Sequence, residues 1–157
     1  MNKKNNTMSV FEKNTEEKLN GLLARAYDAE QGFTKAANQV ESKALQRLFE
    51  QKANERNQFK AELEHELTAK GMDVTKYTGS FKGAVHRAWM DTKALFSNAD
   101  EEAMLEEVRN GEKVALEDYE DVLKETTLPA STINVLTNQK NKIEQSYNRA
   151  NYLENAF

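Results

Sequence analysis

A handful of charged residues carries whatever chemistry this sequence holds. Glu30 and Glu112 each stand in the middle of an apolar stripe at helical spacing, where a carboxylate is unusual. The run Glu55-Arg56-Asn57-Gln58-Phe59 places Arg56 near the centre of a third stripe, with Lys52 beside it and Glu55 on one shoulder. A fourth stripe offers Glu144 and Tyr147 three residues apart. Carboxylates converging from several helices neutralise and bridge hard or borderline cations. A guanidinium among them offers a different chemistry, a permanent positive charge with bidentate hydrogen bonds. Glu62 and His65 also form a Glu-x-x-His pair, but at about 100° per residue His65 turns away from the stripe and reads as a surface residue.

Long helices must position these residues. With 38% hydrophobic and 31% charged residues, one proline and six glycines, the 157-residue chain suits solvent-facing helices and is poor for a turn-rich β-sandwich. Its length fits one domain with a real core. Asn14 and Glu17 have capping-box spacing, so residues 1–13 read as a disordered or loosely attached tail and 14–157 as one domain. The first helix carries Leu19, Leu22, Leu23, Ala26, Glu30, Phe33, Ala37 and Val40. The second, from about Ser42 to Lys70, carries Leu45, Leu48, Phe49, Phe59, Leu63 and Leu67, and Gly71 is its natural stop. So tight a connection between them makes an antiparallel hairpin.

Residues 71–98 change character. Thr78-Gly79-Ser80 signals a turn, after which Phe81, Val85, Ala88 and Trp89 trace a short amphipathic helix. The stretch is too long for a hairpin turn and suits a crossover, which makes the second and third helices run in the same direction. Asn98 and Glu101 repeat the capping-box spacing. The third helix then shows Met104, Leu105, Val108, Glu112, Ala115, Tyr119, Val122 and Leu123, with Gly111 allowing close approach of a neighbour. Pro129 suits the first turn of a fourth helix, whose stripe is Ile133, Leu136, Ile143, Tyr147, Ala150 and Leu153, with Gln139 and Lys140 nearby.

The pattern of Glu30-Gln31-Gly32-Phe33, Glu55-Arg56 with Phe59, Gly83 with His86-Arg87-Ala88-Trp89, and Gly111-Glu112 with Tyr119 resembles small bacterial ferritin-like four-helix-bundle proteins of unassigned function. The resemblance covers roughly residues 19–153 and implies an all-α bundle of two antiparallel hairpins joined by a long crossover containing a short helix. A ferritin-like di-metal site takes one Glu from each of two helices and a Glu-x-x-His from each of the others. Glu30 and Glu112 match the single glutamates. The second-helix pair is missing, since Arg56 and Phe59 stand there, and Tyr147 is a poor replacement for histidine. The expectation is therefore a degenerate site in which Arg56, with Lys52 and Tyr147, replaces the metals by a buried ion-pair network with Glu30 and Glu112. Removing Arg56 from such a network should cost ~3–5 kcal/mol. The alternative is a retained centre for iron or another divalent metal on Glu30, Glu55, Glu112 and Glu144.

Other features have plainer readings. His86, Arg87 and Trp89 form a candidate ligand or partner site on the crossover, and more simply anchor it to the bundle. Tyr27, Tyr119 and Tyr147 are expected to be core residues with satisfied hydroxyls rather than redox tyrosines. No glycine-rich phosphate loop, nucleophile motif or zinc signature is present, and the absence of cysteine removes disulfides and thiolate sites. A net charge of −4 with no evident basic face argues against nucleic acid. No apolar run approaches the ~20 residues of a membrane span. The sequence thus predicts a cytoplasmic, non-enzymatic bundle without cofactor, acting as a homo-oligomer or through a protein partner, against the alternative of an iron-binding oxidase or store.

Overall fold

The computed structural model describes residues 9–75, 101–125 and 127–156. These form four helices and, among the described residues, no strand: α1 (Val10–Gln39), α2 (Lys43–Ala69), α3 (Glu101–Leu123) and α4 (Ala130–Ala156). None is long and apolar enough to cross a membrane.

α1 begins earlier than the Asn14 signal predicts. Ser9 is the N-cap, its hydroxyl accepting from the Glu12 N–H while Glu12 accepts from the Ser9 N–H. Two capping boxes stand five residues apart in the sequence, and Val10 and Phe11, both exposed, give no burial signal to favour either. Asn14, inside the helix, instead donates to Glu125 near the end of α3. Ser42 caps α2 through the Leu45 N–H. At the far end Gly71 adopts φ 74°, Met72 N–H reaches the Leu67 carbonyl at 2.9 Å and Gly71 N–H that of Thr68 at 3.0 Å. This is a Schellman stop, which favours a residue without Cβ at the left-handed position.

Contacts between helices fix their directions. Tyr27 bonds Glu64, Glu30 pairs with Lys60 and Asn20 bonds the Asp73 carbonyl, so α1 and α2 are antiparallel. Tyr119 bonds Gln139 and Arg109 bonds Asn151, which makes α3 and α4 antiparallel. Across the hairpins Arg25 meets Asp118, Glu66 meets Thr132 and Glu55 meets Ser146. α2 and α3 therefore run the same way, as do α1 and α4. The crossover candidates His86, Arg87 and Trp89 lie outside the described residues.

The core has two apolar parts. One gathers Leu19, Leu23, Phe59, Leu63, Tyr119, Leu136 and Ile143. The other gathers Phe33, Leu45, Phe49, Met104, Leu105, Val108 and Ala150. On every helix a polar position separates the two parts: Glu30, Arg56, Glu112 and Ser146. Two expectations about packing are corrected. Ile133 is 39% exposed while Thr132 is fully buried, because the Thr132 hydroxyl donates to Glu66 at 2.6 Å and the inner face of α4 runs through 132, 136, 139 and 143. Gly111 meets no close neighbour; a Cβ there would face open space.

Candidate functional site

The polar layer between the two apolar parts is the candidate site. α2 brings Lys52 and Arg56 to its inner face because they are four residues apart and lie among Phe49, Phe59 and Leu63. α3 brings Glu112 four residues after buried Val108 and seven before buried Tyr119. Lys52 Nζ donates to Glu112 Oε2 at 2.8 Å, and Arg56 Nη2 donates to Glu112 Oε1. Both Glu112 oxygens are thus engaged by cations, and the Lys52 and Glu112 side chains are each only 2% exposed. Arg56 Nη1 reaches Glu55 Oε1 at 3.2 Å, and the Ser146 hydroxyl of α4 donates to the same oxygen at 3.3 Å. Two cations and two carboxylates therefore alternate across the bundle as Lys52, Glu112, Arg56, Glu55.

Aromatic rings close the layer. The Phe33 centroid lies 5.6 Å from Lys52 Nζ and 5.5 Å from the Arg56 guanidinium carbon, and Phe59 lies 5.4 Å from the latter. Ring faces attract cations that have lost water, which offsets part of their desolvation cost.

The electrostatics follow from this arrangement. Burial alone would push the Glu112 carboxyl up, but Arg56 and Lys52 facing it outweigh burial and hold it below the ordinary carboxylate value. Burial pulls the Lys52 ammonium below its usual value, and Glu112 recovers only part of that. The two shifts are not mirror images because Glu112 faces two cations, whereas Lys52 has Arg56 close by. The charged pair is the stable form: the guanidinium keeps its charge, and both Glu112 oxygens receive only cationic donors. Burial raises the half-buried Glu55 carboxyl, with Arg56 opposing and Glu112 adding to the rise.

The sequence-predicted residues divide. The structure brings Arg56, Glu112 and Lys52 together. Glu30 does not join them: its carboxylate accepts from Lys60 at 2.8 Å near the surface, and Phe33 takes the inner position of α1. Tyr147 is half-buried and makes none of the hydrogen bonds of this cluster. Tyr27 and Tyr119 have satisfied hydroxyls, donating to Glu64 at 2.8 Å and Gln139 at 2.6 Å. Of the four alternative metal ligands, Glu55 and Glu112 both bind Arg56, Glu30 binds Lys60, and Glu144 is exposed. Among the described residues no group of three or more His, Asp or Glu side chains is placed to hold a metal ion.

A second polar chain goes beyond the sequence reading, which places only its Gln139 near the α4 stripe. Gln139, fully buried, accepts from Tyr119 and donates to Glu62 at 2.9 Å. Buried Glu66 accepts from Ser131 at 2.8 Å as well as from Thr132, placing a carboxylate at the start of α4 where the helix dipole favours it. Their spacing carried a usable signal: Gln139 is three residues after Leu136 and four before Ile143, and Glu66 is three after Leu63.

An all-α domain with a buried ionic layer is thus the class that fold and site define. The chain belongs to the family described as a domain of unknown function, DUF2383, whose model matches residues 14–125. That stretch includes Lys52, Glu55, Arg56 and Glu112, whereas α4 lies beyond it. No curated protein matches the chain.

Proposed function

We propose that this protein is a ferritin-like four-helix bundle whose metal constellation is degenerate, and that it acts without catalysis, through self-association or a protein partner. One observation carries the reading: Lys52 and Arg56 together occupy both oxygens of Glu112 at the centre of the core. A divalent cation there would face two fixed positive charges and would have to displace both from the carboxylate. The residues therefore do not fit a di-metal centre. Helix directions favour the ferritin-like topology. α2 and α3 run the same way, as do α1 and α4, which is how two antiparallel hairpins lie in that topology.

The test is metal content by mass spectrometry on protein purified without chelator, repeated after anaerobic Fe(II) loading. Metal-free protein in both samples is expected. Near-stoichiometric iron that Glu30→Ala and Glu112→Ala abolish would sink the degenerate-site reading and make an oxidase or iron store the working model. Sedimentation equilibrium then separates a self-associating bundle from a monomer that needs another protein.

A further inference from the structure

A cavity of about 170 Å³ opens between α2 and α4, just outside the ionic layer. Lys52 and Glu55 line it from α2; Lys142, Ser146 and Arg149 line it from α4. The three α4 residues share one face because they are spaced four and three apart. Three cations against one carboxylate give the lining a charge of +2. Adding Arg56 and Glu112 behind it leaves that excess unchanged, since they cancel. Neither Lys142 nor Arg149 is paired with a carboxylate among the described residues, in a chain whose overall net charge is −4. The local field thus opposes that of the whole molecule.

We propose that this cavity binds a small phosphate-bearing dianion. A dianion cancels the excess of two charges. The volume admits a small molecule. Arg149 offers a planar fork for two phosphate oxygens and Lys142 a point charge. The Ser146 hydroxyl is held by Glu55, which itself leans on Arg56, so one wall of the cavity is continuous with the buried layer. The occupant is either free phosphate or a small phosphate monoester.

The test is titration of the full chain with inorganic phosphate and, separately, glycerol 3-phosphate, followed by amide NMR shifts at constant ionic strength. Saturable binding is expected with a dissociation constant of about 1 mM or tighter, with shifts centred on residues 48–55 and 142–149. Arg149→Gln and Lys142→Gln, both on the rim, should each weaken it about tenfold while leaving the helical circular dichroism unchanged. Glu55→Gln removes the one carboxylate of the lining and should tighten binding. Stronger binding of the ester than of phosphate assigns the site to a monoester, and the reverse assigns it to free phosphate. No saturation by about 20 mM, shifts scattered over all surface cations, or indifference to both rim variants would overturn the proposal.

Discussion

Glu30 and Glu112 hold equivalent places in their helices, each between two buried apolar groups, yet the fold treats them differently. Glu112 is held by two cations that aromatic rings cover, whereas Glu30 swings to the edge of the α1–α2 hairpin to meet Lys60, whose ammonium sits 4.3 Å from the Tyr27 ring centroid. The difference lies in what stands opposite. α2 presents Lys52 and Arg56 toward α3, across the centre of the bundle, and Phe33 fills the matching space on α1. A carboxylate enters a core when cations are already aimed at its position, and otherwise moves to where water and a surface lysine serve it.

The contrast can be broken by substitution. Glu112→Leu should cost the most, ~3–5 kcal/mol, because it leaves Lys52 and Arg56 facing each other without their shared anion. Urea unfolding measures this, and a loss below about 1 kcal/mol would show that the cations find another partner. Replacing all three charges together, as Lys52→Met, Arg56→Leu and Glu112→Leu, should recover most of that loss, since well-packed apolar groups of similar volume often match a buried ion pair. Arg56→Leu alone should cost about 3 kcal/mol, less than Glu112→Leu, because Lys52 and Glu112 remain a one-to-one pair while Glu55 loses its cation.

Acid sharpens the same comparison. The folded Glu112 carboxyl lies below the ordinary glutamate value of 4.5. Its contribution is therefore fully present above that value and is lost as pH falls through the lower, folded one. Glu55 acts with the opposite sign: its raised carboxyl takes up a proton in the folded state first, which favours folding as pH drops toward 4.5. The stability gap between wild type and Glu112→Leu should shrink once the pH falls below that point. A gap constant down to pH about 3 would remove Glu112 as its source.

Glu30→Ala should cost about 1 kcal/mol or less, the worth of a partly exposed pair. A loss as large as that of Glu112→Leu would place Glu30 in the core network after all. The smallest effect reverses sign. Gly111→Ala, one residue from Glu112, should gain about 0.5–1 kcal/mol from helix propensity, because a Cβ there meets nothing. Thermal unfolding of the variant reads it, and a loss would mean that a neighbour does approach.

Much of the fold was legible in the sequence. The stripes of α1, α2 and α3 are the buried faces, since apolar spacing of three and four is a local consequence of 3.6 residues per turn. The stop at Gly71 and the cap at Ser42 were equally local. The start of α1 was not, because two capping boxes competed with no burial signal between them. On α4 the apolar spacing pointed to Ile133, while the fold buries Thr132 and Gln139, polar residues that hydrophobicity passes over.

Helical periodicity alone places Lys52, Arg56, Glu112 and Glu30 at the centres of their helix faces. Which of them meet is set by how the helices pack. Helix phase fixes a side chain's direction to within part of a turn, but burial of a charge depends on the atoms facing it from other helices. Those partners, Lys52 and Arg56 for Glu112, Lys60 for Glu30, and Thr132 for Glu66, lie from 30 to 66 residues away in the chain. No local period could encode them.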